Sequence, residues 1–321
     1  MSTGTELAVR RRFAIPVSVG WGIVLAVGAA LISGLAIYLN AFAVKQLPDA
    51  ALYTTLKNAV AAFLLLGAAV GLGAARDVRS LDRRSWVGVV LVGVIGGSIP
   101  FILFFSGLAQ ASAPSAAFIQ KTLFVWVALL AVPFLGERLG FAPLIALVVL
   151  LVGQALVLPP DGIRWGSGET MIMIATLFWA VETILVKRLL TSIPTPVMAA
   201  ARMSIGLVVL VGYLVISGRL ALLAGLTQVQ WGWALLTGLI LAGYVATWFS
   251  ALRRAPATVV TSVLVVGAVI TGILTAVAKG TAPSPTVVGG YLLIVVAAGI
   301  LGWWSIRTAR RSTVAATVAT S

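Results

Sequence analysis

The sequence predicts an all-α membrane protein: ten transmembrane helices arranged as two inverted-topology five-helix repeats, with both termini cytoplasmic. Three observations carry that expectation. Apolar residues fill 61% of the 321 positions and charged residues only 9%, for a mean hydropathy of +1.13, which places the chain in lipid. The apolar residues fall in runs of about 20, long enough for spanning helices and too long for barrel strands of about ten. The basic residues between the runs alternate between rich and poor segments.

The runs cover residues 21–44, 50–74, 85–109, 114–135, 140–158, 168–187, 196–216, 231–252, 256–278 and 285–305. Arg10, Arg11 and Arg12 before the first imitate a signal peptide, but a run of that length spans the bilayer and is read as an uncleaved helix. Turn chemistry punctuates the others: Pro48-Asp49, the segment 76–84, Ala113-Pro114, the segment 136–140, Pro159-Pro160-Asp161-Gly162, the segment 194–196, Ala255-Pro256 and the segment 283–285. In the third run Pro100 follows Gly96, Gly97 and Ser98, a pattern that kinks a helix and frees backbone carbonyls. Gly67/Gly71 and Gly93/Gly97 have the small-residue spacing of close helix contacts. Trp21, Trp86, Trp231, Trp303 and Trp304 sit at helix ends, where an aromatic belt belongs.

With the N-terminus inside, fifteen Lys and Arg residues fall in inner segments: Arg10, Arg11, Arg12, Arg76, Arg79, Arg83, Arg84, Arg138, Lys187, Arg188, Arg253, Arg254, Arg307, Arg310 and Arg311. Four fall outside, namely Lys45, Arg164, Arg219 and Lys279. This positive-inside bias sets the orientation and supports splitting the long apolar stretches at Ala113-Pro114 and Ala255-Pro256. It also accounts for the net charge of +14 without nucleic acid as a partner, because the cations never form one basic face.

An offset of 142 residues lays Ala113-Pro114 on Ala255-Pro256 and Val44-Lys45 on Val186-Lys187, while small slips lay Lys57 on Arg202 and Gly153 on Gly299. Five helices per copy is odd, so the second copy enters the membrane from the other side. The expected organisation is an N-terminal cytoplasmic tail (1–20), a first repeat (21–158), an external linker (159–167), a second repeat (168–305) and a C-terminal cytoplasmic tail (306–321).

Ala113 to Ala117, the Phe134-Leu135-Gly136-Glu137-Arg138-Leu139 turn and the stretch from Leu144 through Gly153 to Val157 resemble the drug/metabolite transporter superfamily in its ten-helix EamA-like branch. Ala255-Pro256 and the Gly289 to Gly302 stretch look like the second copy, with Lys279 standing where that family usually has its second glutamate. The resemblance covers about 20–305. It implies two inverted repeats around a central cavity walled by helices 3, 4, 8 and 9 among others. It also implies movement of amino acids, other small metabolites or drugs, often by export, with no cofactor.

Four ionisable residues lie inside spanning runs, where charge is costly and marks function by default: Lys57, Lys121, Glu182 and Arg202. At about 1.5 Å per residue, Lys57 and Lys121 form an outer layer and Glu182 and Arg202 an inner one. The repeat offset lays Asn40 under Glu182, so each half is expected to carry an acceptor on its first helix facing a cation on its second. Glu182 and Arg202 are either a pair locking two helices or a proton or substrate-cation site. Lys121, beside Gln120, either snorkels to the outer interface or donates to a helix carbonyl, or it meets an anionic group of the substrate such as a carboxylate or phosphate. Tyr38, Asn40, Ser98, Trp179, Tyr244, Thr247, Trp248, Thr261 and Ser262 supply further polar and aromatic surface. The substrate contacts expected from these are Lys121, Gln120, Tyr38, Asn40, Tyr244, Trp248 and Ser262, with Glu182, Arg202 and Lys57 as charge pair or coupling group.

His and Cys are absent, and no paired-carboxylate or phosphate-loop motif occurs, which argues against an enzyme, metal site or primary pump. Three intramembrane cations against one carboxylate disfavour cationic drugs. The expected function is secondary transport of a small metabolite, amino acids or other anionic or zwitterionic solutes first, by alternating access across a bacterial inner or plasma membrane, as exporter or exchanger. A lipid or lipid-linked-sugar flippase is the alternative; a multidrug exporter, a channel or a membrane-embedded enzyme ranks below. Membrane lipids are the other partners expected.

Overall fold

The computed structural model describes residues 19–79, 81–158 and 163–320; Arg10, Arg11, Arg12 and most of the expected external linker lie outside them. Helices are α1 (Val19–Gln46), α2 (Ala50–Gly71), the short α3 (Ala75–Arg79), α4 (Arg83–Gly97), α5 (Ile99–Gln110), α6 (Ala113–Lys121) and α7 (Leu123–Leu135). They continue as α8 (Phe141–Leu156), α9 (Ser167–Leu189), α10 (Thr195–Ile216), α11 (Gln228–Arg254), α12 (Ala257–Leu264), α13 (Val266–Lys279) and α14 (Pro285–Thr320), with a 3₁₀ turn at Arg219–Gly225. Taking α4 with α5, α6 with α7 and α12 with α13 as single broken spans gives ten apolar segments. Nine of them are long and apolar enough to cross a membrane among the described residues, and α8, with 16 residues, is the short one. Residues 136–140 and 157–158 stay outside that helix, so the fifth span is shorter than its apolar run.

Helix starts follow local chemistry. The Asp49 carboxylate accepts the Leu52 N–H at 2.9 Å and the Asp82 carboxylate the Ser85 N–H at 2.9 Å, satisfying amides that have no partner within the helix. The three breaks have different causes. At Ser98 the chain leaves helical geometry (φ −134°, ψ −72°) just before Pro100, as the sequence predicts. At Thr122 and Val265 the spans tighten by one i→i+3 turn: Val125 N–H reaches Thr122 O at 2.9 Å and Ala268 N–H reaches Val265 O at 2.8 Å. These two turns lie at matching places in the two halves, offset by 143 residues, and no residue pattern announces them.

The packing repeats the same correspondence. α1 lies along α11 and along α12 and α13, while α9 lies along α4 and α5 and along α6 and α7; α2 pairs with α10, and α8 with α14. Exchanging the halves maps this set of contacts onto itself. The principal contacts cross between the halves, so the repeats are interleaved in one bundle.

At one crossing the backbones nearly touch: an added Cβ on Gly206 would lie 2.8 Å from Gly97 Cα. Gly93 and Gly97 therefore serve helix contact as expected, whereas Gly67 and Gly71 face nothing within 4 Å and their spacing has no packing role. Gly206→Leu is expected to separate α4 from α10 at a cost of about 1–3 kcal/mol, seen as a lowered melting temperature in detergent. Trp21, Trp86, Trp231 and Trp303 are exposed at helix ends and Trp304 is half-buried.

Candidate functional site

A central cavity of about 90 Å³ opens between α1, α2, α5, α6, α7, α9, α10 and α11. Its wall includes Asn40, Lys57, Gln120, Glu182, Arg202, Tyr244 and Trp248, seven of the ten side chains singled out in the sequence.

The expected acceptor and cation pairs form in both halves. In the first, Lys57 Nζ donates to Asn40 Oδ1 at 3.0 Å and lies 4.1 Å from the centre of the Phe105 ring. The Tyr53 hydroxyl donates to the same Asn40 oxygen. In the second half Arg202 forms a two-pronged ion pair with Glu182: Nε meets Oε1, and Nη2 meets Oε2 at 3.1 Å. Both pairs are buried, Lys57 at 2%, Glu182 at 4% and Arg202 at 5% exposure, yet only the second is neutral. Among the described residues the ion pairs are Arg202–Glu182 and Arg219–Asp49, so Lys57 faces no carboxylate.

The break in helix 3 completes the Arg202 site. Pro100 has no N–H, which leaves the carbonyl four residues earlier, that of Gly96, without its helical donor. Arg202 Nη2 donates to it at 2.8 Å and Trp179 Nε1 at 3.2 Å. Gly96 must also lack a side chain, because a methyl group there would overlap the Glu182 carboxylate. Pro100→Ala returns an N–H that competes for the carbonyl. It is expected to add one helical hydrogen bond worth about 1 kcal/mol and weaken a charged one worth about 1.5–3 kcal/mol. Slower transport checks this; an unchanged rate shows that the break plays no part in the cycle.

Three expected contacts lie elsewhere. Lys121, 1% exposed, stands behind the wall with Nζ donating to Ser33 Oγ at 2.7 Å, so it neither snorkels nor reaches the cavity. Ser262 is fully buried and returns its hydroxyl to Thr258 O at 2.7 Å. Tyr38 lies edge-on to Phe42 with ring centres 5.1 Å apart, away from the cavity wall. Thr247 and Thr261 likewise bond to carbonyls of their own helices, the common resting place of hydroxyls in helices. Sequence does not tell a hydroxyl spent on its own helix from one that faces a ligand.

The wall also contains three phenylalanines that the sequence reading passed over. Phe101, Phe104 and Phe105, at i, i+3 and i+4 on α5, present an aromatic face with Trp179. Their spacing after Pro100 was the available signal. Tyr244 stacks on Trp248 with centres 6.0 Å apart. Gln120 carries a buried Oε1 with no hydrogen-bond partner. Among the described residues no group of three or more His, Cys, Asp or Glu side chains is placed to hold a metal ion.

A solved crystal structure shares this fold, with a TM-score of 0.71 at 19% identity over 89% of this chain and 97% of its own. An uncharacterized transporter of Synechocystis sp. is 26% identical over 190 residues, which are 56% of this chain and 54% of that protein. The chain thus spans about half the length of the curated relative it matches. The model of the EamA-like transporter family matches twice, at residues 20–158 and 166–303, one match for each half of the interleaved bundle. With its multiple apolar helices and its paired halves around a charged cavity, the chain belongs to the EamA-like transporter family.

Proposed function

We propose that this chain moves a small anionic or zwitterionic metabolite, amino acids foremost, by alternating access between two five-helix halves of opposite membrane orientation. The observation that carries the reading is the charge of the cavity. Two cations, Lys57 and Arg202, face it against the single carboxylate of Glu182, which Arg202 already neutralises. A substrate carboxylate therefore finds a buried ammonium bonded to an amide oxygen and flanked by the Phe105 ring, with no carboxylate beside it. Gln120 Oε1, without a partner, accepts from a substrate amino group. A buried cation repels cationic drugs in a low dielectric, and the cavity is smaller than the roughly 300–1,000 Å³ of drug-sized sites.

The topology completes the reading: both termini cytoplasmic in a bacterial inner or plasma membrane, residues 21–158 and 168–305 as the repeats. The fifteen-to-four distribution of basic residues supports this orientation. Contacts between connecting segments agree with it. Asp49 meets Arg219 at 2.9 Å, Gln230 meets Gln46 O at 2.7 Å and Ser167 meets Gln110 at 2.8 Å, all at ends assigned outside. Lys187 meets Ala255 O at 2.8 Å and Glu137 meets the N–H of Ala257 at 2.6 Å, at ends assigned inside.

The test is the melting temperature of the detergent-purified protein against amino acids, organic acids, sugar phosphates and cationic drugs, followed by counterflow in liposomes with whatever binds. A ligand at 100 times its dissociation constant adds about 2.7 kcal/mol. Stabilisation by carboxylate-bearing solutes, with counterflow, is the expected result. Stabilisation by cationic drugs alone overturns the substrate class, and flux without counterflow overturns alternating access.

A further inference from the structure

We infer that Glu137 is a positioning residue that latches one end of the bundle shut, so that the resting protein opens its cavity at the opposite end, beside Thr281. The inference rests on the alternating-access reading above. Glu137 follows Gly136, the left-handed residue (φ +67°) that ends α7. Its two carboxylate oxygens reach across the bundle to the first turn of α12, accepting the N–H of Ala257 at 2.6 Å and of Thr258 at 3.1 Å. A carboxylate on free amides at a helix N-terminus makes strong, charge-assisted bonds. Two further ties join helices at the same end. Lys187 Nζ donates to Leu252 O and Ala255 O at 2.5 and 2.8 Å, holding α9 to the end of α11, and Arg188 holds it to Phe134 O at the end of α7.

Among the described residues the other half lacks the corresponding tie. α13 also ends on a left-handed glycine, Gly280 (φ +64°), and the residue after it is Thr281, so Thr281 and not Lys279 is the structural counterpart of Glu137. Thr281 is exposed and carries no carboxylate. The start of α6, which the mirror tie would hold, is capped instead by its own Ser112, whose Oγ accepts the Ser115 N–H at 3.1 Å. Cavities lie at both ends, about 400 Å³ beside Thr281 between α6, α8, α13 and α14 and about 580 Å³ beside Glu137, so the asymmetry lies in the ties and not in the open volume. The tightened turns at Thr122 and Val265 divide each broken span into one part at each end. α7 and α12 are tied together at the Glu137 end, whereas among the described residues no side-chain bond joins α6 to α13; each is held instead to α1, by Lys121 on Ser33 and by Thr271 on Gly34 O. Opening the Glu137 end requires Glu137 to release both amides.

The chain has no cysteine, so a single Thr183→Cys in the central cavity wall reports access by a membrane-impermeant maleimide applied to sealed vesicles of either orientation. Thr183 is buried and bonds only to its own helix, at Trp179 O. The parent reporter is expected to label from the Thr281 end. Glu137→Ala raises labelling from the Glu137 end about tenfold or more, the scale of losing hydrogen bonds to a charged group, and Glu137→Gln, which keeps one acceptor oxygen, less. Thr281→Glu, which supplies the missing carboxylate, lowers labelling from its own end and keeps the test alive if Glu137→Ala does not fold. One-sided labelling of the parent that neither Glu137→Ala nor Thr281→Glu changes overturns the latch and leaves alternating access standing. Labelling of the parent equally from both ends overturns both.

Discussion

Arg202→Met lowers the stability of the protein by about 3–5 kcal/mol, the cost of stranding one partner of a buried ion pair. Three surroundings lose a partner together. Glu182 keeps its burial and loses its counter-charge, the Gly96 carbonyl keeps only Trp179 Nε1 as donor, and the space between the Phe101 and Phe249 rings loses the guanidinium. The measurement is thermal unfolding in detergent. The double variant Glu182→Leu with Arg202→Met recovers most of the loss, because removing both charges also removes the desolvation that each suffered. Transport separates the two roles open for Glu182. If the pair is a strut, Glu182→Gln leaves the pH dependence of transport unchanged. A lost pH dependence identifies Glu182 as a proton carrier instead.

Asn40→Asp abolishes binding of an anionic or zwitterionic substrate while holding or raising stability. The new carboxylate stands where Asn40 Oδ1 now accepts from Lys57 Nζ at 3.0 Å and repeats in the first half the neutral pair already present in the second. The cavity balance falls from one net cation to none. Two unit charges about 4 Å apart at an effective dielectric of about 20 interact by about 4 kcal/mol, so the affinity change expected spans up to about three decades. Lys57→Met shows the same loss of binding without the gain in stability. Unchanged affinity in both variants removes Lys57 as the substrate anchor.

Much of the membrane architecture was legible because lipid makes demands that a sequence must answer locally. Apolar runs of spanning length, proline and glycine at their ends and tryptophans at the interface recover the ten segments, apart from the short α8. The Pro100 break was legible for the same reason: a missing N–H is a local fact. The pairing of Asn40 with Lys57 and of Glu182 with Arg202 was legible through the internal repeat, which converts one plausible contact into two equivalent ones. Lys121 shows where this stops. Its position in an apolar helix marks it as costly and so as bonded, but whether the bond goes to a substrate or to Ser33 depends on which face of α6 turns toward α1. Glu137 shows the converse, a loop residue whose partners lie 120 and 121 positions away.

By itself, then, the sequence determined the class of the protein, its spans, its two halves and the charges that had to find partners, because the free energy of burying a backbone group or a charge in hydrocarbon is set residue by residue. Only the tertiary structure decided which of those charges face the cavity, which hydroxyls are spent on their own helices and which distant amides Glu137 meets. Those outcomes depend on helix rotation and on which half each helix packs against, and the same apolar stripes allow several answers until the whole bundle closes.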